Sequence, residues 1–204
     1  MTDELPDNRP APRQDRVLDV GALRALAHPL RVRMFDMLSQ YGPQTASTLA
    51  ARLGESSGAT SYHLRALAAH RLIREVEGRG TARERWWERP AGGIELMNPD
   101  AMKTPAGRAA SQMVMTEFLR NRHDQLVDYS ERGADAETQP WRDAVIISTA
   151  NTRLTVEQTR QLSQAIQALI DEAVSNHRDQ VGEGVRPVTI RADVFPLPEQ
   201  GDDK

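Results

Sequence analysis

The sequence predicts an α+β fold that is mostly helical, and three observations lead to this class. Apolar residues recur at helical spacing across residues 17–70. The pattern changes to strand-like segments near residue 72, and helical spacing returns after residue 104. Of the 204 residues, 39% are apolar and 27% are charged, which supports a packed core and argues against wholesale disorder.

The first two predicted helices are separated by a proline. Residues 17–27 carry apolar side chains that suit one face of a helix. Pro29 cannot continue this helix, but proline is favourable at the first position of the next one. The second helix should bury one face and end at residues 41–43, where Tyr, Gly and Pro follow each other. That face consists of Met34, Phe35 and Leu38.

Two short helices joined by a tight turn are predicted over residues 44–73. Thr45 is a suitable N-cap for the first of them, and Gly54 ends it. Ser56 or Ser57 can cap the second helix, which is predicted over residues 57–70. The buried face of this second helix is expected to consist of Thr60, Leu64 and Leu67.

A β-hairpin is predicted after these helices. Leu72–Glu77 and Arg83–Glu88 are expected to form its strands. Gly78–Thr81 is expected to form a flexible tip, because glycine on both sides of an arginine permits unusual backbone angles. Trp86 and Trp87 are neighbours on one strand and point to opposite faces, so one of them should lie in the core. Helices followed by such a hairpin form a winged helix-turn-helix.

Composition and pattern divide the chain into five segments. Residues 1–16 are rich in Pro, Asp and Arg and are predicted to be a flexible arm. Residues 17–90 are predicted to be the winged helix-turn-helix domain, and residues 91–104 a linker. Residues 105–196 are predicted to be a C-terminal region for dimerisation or effector sensing, and residues 197–204 a flexible tail.

The C-terminal region is predicted to have helices and a strand-helix-strand segment. A helix should begin with Pro105 at its first position and run to about Arg132. A strand around Val145–Ile147, a helix that begins with a capping box at Thr155, and a half-buried strand over residues 188–194 should follow. Two uses stay open for this region: a dimerisation or scaffold element, or an enclosure for a small-molecule effector.

Both predicted helices of the C-terminal region carry apolar stripes. An apolar stripe at helical spacing is more often packed against protein than open to a ligand. In the first helix, the residues that could face a partner are Met115, Phe118, Leu119, Leu126 and Tyr129. In the second helix, the stripe has near-heptad spacing and consists of Thr159, Leu162, Ile166, Leu169 and Ala173.

Charge is distributed unevenly along the chain, although the net charge is only −3. Residues 16–90 contain 12 Arg against 7 Asp and Glu, a balance of +5, whereas residues 91–204 have a balance of −6. The basic segment coincides with the predicted winged helix-turn-helix. A polyanion such as DNA suits this segment, and arginine gives forked contacts to phosphate and guanine.

Residues 25–33, ALAHPLRVR, residues 60–67, TSYHLRAL, and the predicted hairpin stand in a fixed order. Together they resemble the DNA-binding domain of ArsR-type winged-helix repressors, over about residues 20–90. The resemblance implies a homodimeric bacterial transcription factor that binds a partly palindromic operator in double-stranded DNA. It departs from the metal-sensing members, because their metal box uses cysteine and this chain has none. We therefore expect no metal or other cofactor, and the lack of cysteine fits a reducing cytoplasm.

The candidate DNA contacts lie on the outward side of the helix at residues 57–70, at the start of the preceding helix and on the wing at residues 78–83. Gly58 and Ala59 allow close approach to the major groove, Arg65 can fork onto guanine, and Tyr62 can contact a thymine methyl group or a phosphate. His63 should instead have a structural role at a helix–helix seam. The full set is Thr45, Ser57, Gly58, Ala59, Ser61, Tyr62, Arg65, Arg79 and Arg83.

Other classes of function have less support from the sequence. No phosphate loop or HExxH is present, so an enzyme is not expected. No run of about 18 apolar residues is present, so no membrane span is expected. Two alternatives remain: a protein-interaction module that reuses the winged helix, and an enzyme with a winged-helix appendage. A protein-interaction module should show no salt-dependent affinity for DNA. The DNA affinity of a DNA-binding regulator should instead fall steeply as the salt concentration rises.

Overall fold

A computed structural model describes residues 16–81, 84–90, 92–96 and 98–198. The fold is mixed α+β and mostly helical, which confirms the predicted class. The chain divides into two compact units between Ile146 and Ile147. Most of the predicted arm, residues 1–15, and residues 199–204 of the predicted tail lie outside the described residues.

The first unit contains most of the helices and all the described strands. Its elements in chain order are β1 (Arg16–Val17), α1 (Val20–Leu26), α2 (Pro29–Tyr41), β2 (Gln44–Thr45), α3 (Ala46–Leu53), α4 (Ser57–Ala69), β3 (Arg74–Thr81), β4 (Glu84–Glu88), β5 (Ile94–Glu95), α5 (Pro99–Met102), α6 (Pro105–Asp128), a π-helical turn (Tyr129–Gly133), α7 (Ala134–Ala136) and α8 (Gln139–Asp143). The segment predicted as a linker thus contains β5 and α5.

The wing is a three-stranded antiparallel sheet in the order β2-β4-β3. Gln44 and Glu75 both pair with Trp87, so β4 lies between the start of the helix-turn-helix and the outer strand. The register of β3 against β4 shifts between Glu75 and Gly80. This irregularity lets β3 continue to Thr81, so the prediction of a flexible tip at residues 78–81 is wrong: these residues belong to the strand.

The core of the first unit lies between α1, α2, α4 and α6. Leu23, Phe35 and Leu64 are fully or almost fully buried there, as is Val114 of α6. Phe118, predicted to face a partner, instead packs edge-to-face on Phe35 with 6.3 Å between the ring centroids. That prediction was wrong because the buried side of α6 extends to residue 118, and α6 is therefore part of the core that supports the helix-turn-helix.

The second unit contains α9 (Val156–His177). The predicted capping box is confirmed: Thr155 Oγ1 accepts from the Gln158 amide, and the Gln158 side chain accepts from the Thr155 amide. No α9 residue is buried among those that the structure describes. None of the described helices is long and apolar enough to cross a membrane.

The described residues show no strand in the two segments predicted to flank α9. Residues 145–155 and 185–198 run without helix, turn or bend, and neither segment pairs with another strand in the described part of the chain. The prediction rested on alternating apolar side chains. Alternation fixes which side chains share a face, but a strand also needs a neighbour for its backbone hydrogen bonds.

Candidate nucleic-acid interface

The start of α4 is fixed by a serine N-cap. Ser56 Oγ accepts a hydrogen bond from the Ala59 amide at 3.1 Å, which decides between the two predicted caps. Thr60 donates its hydroxyl to the Ser56 carbonyl at 3.0 Å. The predicted buried face is confirmed, because Thr60, Leu64 and Leu67 are all fully buried. These contacts fix the rotation of α4 and therefore the side that faces solvent.

The outward side of α4 is small at its N-terminus and polar further along. Tyr62 is 59% exposed, and Arg65 is exposed and forms no ion pair or hydrogen bond with another described residue. At about 100° per residue, offsets of one, two, four, five and eight residues from Ser57 place the candidates on the side of α4 away from its buried face. The predicted residues on this side are Ser57, Gly58, Tyr62 and Arg65, which are exposed, and Ala59 and Ser61, which are half-buried.

Thr45 is not available as a side-chain contact. It is 2% exposed, and its hydroxyl oxygen accepts from the Thr48 amide at 3.1 Å as the N-cap of α3. Its backbone pairs with Trp86 in the sheet. The predicted cap is thus confirmed, while the hydroxyl is committed to the protein. Only the free amide groups at the start of α3 are left to face a phosphate.

The wing presents Arg79 on an aromatic platform. The Arg79 guanidinium carbon lies 3.7 Å from the centroid of the half-buried Trp86 ring. Trp87 is buried, so the prediction that one of the two tryptophans lies in the core is confirmed. Arg85 forms an ion pair with Glu75 at 3.5 Å. The remaining wing candidate, Arg83, lies outside the described residues.

His63 joins α4 to α2, as predicted for a residue at a helix–helix seam. Its Nδ1 accepts from Arg31 Nε at 3.1 Å, and Arg31 also donates to the Ala25 carbonyl at 2.9 Å. The His28 ring lies 4.6 Å away between centroids. Burial lowers the pKa of His63, and the neighbouring His28 and Arg31 lower it further, while Glu55 opposes them. The neutral imidazole is the form that can accept from Arg31.

Arg16 braces the C-terminal end of α4. Its guanidinium donates to the carbonyl oxygens of His70 and Arg71 at 2.8 and 2.6 Å. Arg71 has a φ of 55°, the left-handed conformation that turns the chain from α4 into the wing. Arg16, the last residue of the predicted arm, belongs to β1, which pairs with β5. No sequence signal links residues 16 and 70, since the contact depends on the tertiary fold.

Residues 26–76 match a family model described as a helix-turn-helix domain. The match runs from the end of α1 into β3 and covers about a quarter of the chain. A search of curated proteins found no match. With the antiparallel wing beside it, this domain is of the kind found in winged regulators, and it suggests a DNA-binding transcription regulator rather than an enzyme. In the described part of the chain, no cluster of three His, Asp or Glu side chains could hold a metal ion.

Proposed function

We propose that the chain is a homodimeric, sequence-specific transcription regulator that acts as an ArsR-type repressor. The observation that carries the proposal is the outward side of α4, which is small and polar and leaves the side chains of Tyr62 and Arg65 exposed to solvent. This side belongs to a helix-turn-helix domain with a basic charge balance. The assignments of repression and ArsR type rest on the sequence resemblance.

In this proposal α4 enters the major groove and reads base edges. Arg65 forks onto the O6 and N7 atoms of guanine, the commonest specific contact in such complexes. Tyr62 contacts a thymine methyl group or donates its hydroxyl to a phosphate. Ser57 and Ser61 bond to phosphates or base edges, while the small residues at the start of α4 let its backbone approach the DNA.

The amide groups and the wing add contacts to the DNA backbone. The N-termini of α3 and α4 direct their free N–H groups to phosphates. Arg79 reaches the minor groove or the backbone from its position on Trp86, and the cation–π contact restricts its rotamers before binding. Arg83 remains in the proposal as a backbone contact on the basis of the sequence.

The proposed homodimer uses an exposed stripe that runs along α6 to Tyr129, the first residue of the π-helical turn after it. Leu119 and Leu126 are exposed, and Met115 and Tyr129 are half-buried. Their spacings of four, seven and three residues place them along one line beside the buried side of α6. A twofold dimer presents two copies of α4 to half-sites separated by about one turn of DNA, roughly 34 Å.

The test is a gel shift with the DNA upstream of the chain's own gene. Arg65→Ala should weaken specific binding by about 1–3 kcal/mol and relax the preference for one base position. Arg153→Ala, at an exposed arginine of the second unit, is the matched control and should leave the affinity unchanged. Unchanged affinity and base preference in Arg65→Ala would remove Arg65 from the reading surface.

A further inference from the structure

The Tyr62 ring on the outward side of α4 packs against its neighbour in the sequence. Its centroid lies 5.2 Å from that of the His63 ring, and the two planes meet edge-to-face at 75°. Successive residues of a helix point about 100° apart, so this contact requires both rings to lean toward each other. Edge-to-face packing at this distance is favourable for aromatic rings. The position of His63 therefore determines where the exposed Tyr62 ring stands.

His63 is itself held by two side chains at the start of α2. Arg31 Nε donates to His63 Nδ1 at 3.1 Å, and the His28 ring lies 4.6 Å from the His63 ring between centroids. Arg31 also donates to the Ala25 carbonyl at 2.9 Å. His28 Nδ1 accepts from the Leu30 amide at 3.2 Å. Both neighbours are thus anchored to the backbone, and they fix the His63 ring against α2.

This arrangement requires the neutral imidazole. A proton on Nδ1 of His63 would point at the Arg31 N–H group across 3.1 Å, so that two donors and two cations would face each other. Arg31 has little freedom to retreat, because its second hydrogen bond holds it to the backbone. The protonated His63 ring must move instead, and Tyr62 then loses the ring on which it packs.

The charged and titratable neighbours of His63 set the pH at which this happens. They are His28 beside it, Arg31 of α2, Glu55 of the turn between α3 and α4, and Tyr62 of α4 itself. Burial lowers the pKa of His63 below 6.5, and His28 and Arg31 lower it further, while Glu55 raises it. The neutral form therefore dominates at pH 7.5. The protonated ring is repelled by Arg31 and attracted toward Glu55.

We propose that neutral His63, bound to Arg31, positions Tyr62 for reading DNA, and that protonation of His63 withdraws Tyr62 from the DNA. His63 is then a positioning residue, and this role rests on the proposed function because it adds regulation by pH to the same surface. Sequence-specific binding should weaken as the pH falls below 6.5. Charge alone predicts the opposite trend, because protonated histidines add positive charge and strengthen the attraction to phosphates.

The ratio of specific to random DNA affinity, measured with the full-length chain between pH 7.5 and 5.5, tests this role. The specific probe is a duplex that the chain selects from random-sequence DNA at pH 7.5, and the reference is a random duplex of the same length. Each α4 takes up one proton, so the ratio should fall by about tenfold. The affinity for the random duplex should hold or rise over the same range.

Two substitutions of His63 separate positioning from titration. His63→Gln offers Arg31 an amide oxygen that does not titrate, so the ratio should stay high at pH 7.5 and be the same at pH 5.5. His63→Ala should give a low ratio at both pH values. His123→Gln removes an exposed histidine of α6 and is the matched control, with the pH dependence of the unmodified chain. Full pH dependence in His63→Gln would overturn the proposal.

A Tyr62→Ala background shows whether His63 acts through Tyr62. In this background the ratio should be low at pH 7.5 and unchanged at pH 5.5, and adding His63→Gln should have no further effect. A role of His63 in folding alone would act equally with and without the Tyr62 ring. A fall of the ratio in Tyr62→Ala as large as in the unmodified chain would therefore overturn the positioning role.

The unmodified chain keeps the two proposals separate. Specific binding at pH 7.5, with a ratio that does not change toward pH 5.5, would overturn the positioning role alone. Selection of no duplex above the random background at pH 7.5 would overturn the proposed function, and the role of His63 with it.

Discussion

His63 links the reading helix to the rest of the domain through a hydrogen bond that only its neutral form can accept. Arg31 Nε donates to His63 Nδ1 at 3.1 Å, and burial together with His28 and Arg31 lowers the pKa of His63 below its ordinary value of 6.5. A proton on Nδ1 would remove the acceptor and place a cation beside Arg31.

This pKa shift makes stability depend on pH. Between the lowered folded-state pKa and 6.5, the unfolded chain binds more protons than the folded one. The contribution of neutral His63 to the free energy of unfolding is therefore complete above pH 6.5. It is lost as the pH falls from 6.5 toward the folded-state pKa. Urea unfolding between pH 5.5 and 7.5 measures the effect. His63→Gln, whose amide oxygen can accept from Arg31 without titrating, should show a flatter profile. Equal profiles for the two proteins would contradict the assignment.

Residue-level features were predictable where they depend on local spacing. The buried Thr60, Leu64 and Leu67 follow from the helical period alone, and the cap at Thr45 follows from its position before an apolar run. The Arg79–Trp86 stack and the Arg16 brace were not predictable, because they join residues brought together by the hairpin register and by β1.

At the scale of single elements, the stability of α4 depends on its N-cap. Ser56→Ala removes the acceptor for the Ala59 amide and should lower the free energy of unfolding by about 1 kcal/mol. Ser57→Ala is the matched control one position later, where the exposed side chain caps nothing, and it should change stability by less than about 0.5 kcal/mol. Urea denaturation measures both. Equal losses of unfolding free energy in the two variants would show that the Ser56 side chain does not stabilise the start of α4.

Two glycines of β3, Gly78 and Gly80, provide a second pair of matched variants. Both Gly78 and Gly80 have positive φ, 71° and 107°, but a Cβ at Gly80 would lie 2.2 Å from the Glu84 carbonyl oxygen, whereas a Cβ at Gly78 meets nothing within 4 Å. Gly78→Ala should cost about 1–2 kcal/mol of backbone strain. Gly80→Ala should in addition displace β3 from β4 and alter the fluorescence of Trp86. The same small fluorescence change in both variants would contradict the close approach of Gly80 to the Glu84 carbonyl oxygen.

Helices were predicted more accurately than strands, and the reason is physical. Helices close their hydrogen bonds within a short stretch of sequence, so α2, α3 and α4 could be placed from caps, prolines and period. Strands take their partners from elsewhere in the chain. The extent of β3, and the lack of strands beside α9 among the described residues, therefore depend on pairing that the local pattern does not encode.

At the scale of the whole molecule, the exposed stripe of α6 should control assembly. Leu119→Glu places a charge on the stripe and should shift the chain toward monomers in sedimentation or light scattering, because the charge would have to be buried at the interface. Met113→Glu is the matched control, since Met113 is similarly exposed, at 55% against 50% for Leu119, and lies about 120° away around the same helix. A mass change of the same size in both variants would argue against the stripe as the interface.

The central claim is sequence-specific DNA binding through α4, and selection of genomic fragments by the purified full-length chain tests it most directly. We expect enrichment of a few fragments that share a partly palindromic site. Their affinity should exceed that of random DNA, fall steeply as salt rises, and lose its base preference in Arg65→Ala. Recovery of no fragment above the background of random DNA, at low as well as at physiological salt, would contradict the claim.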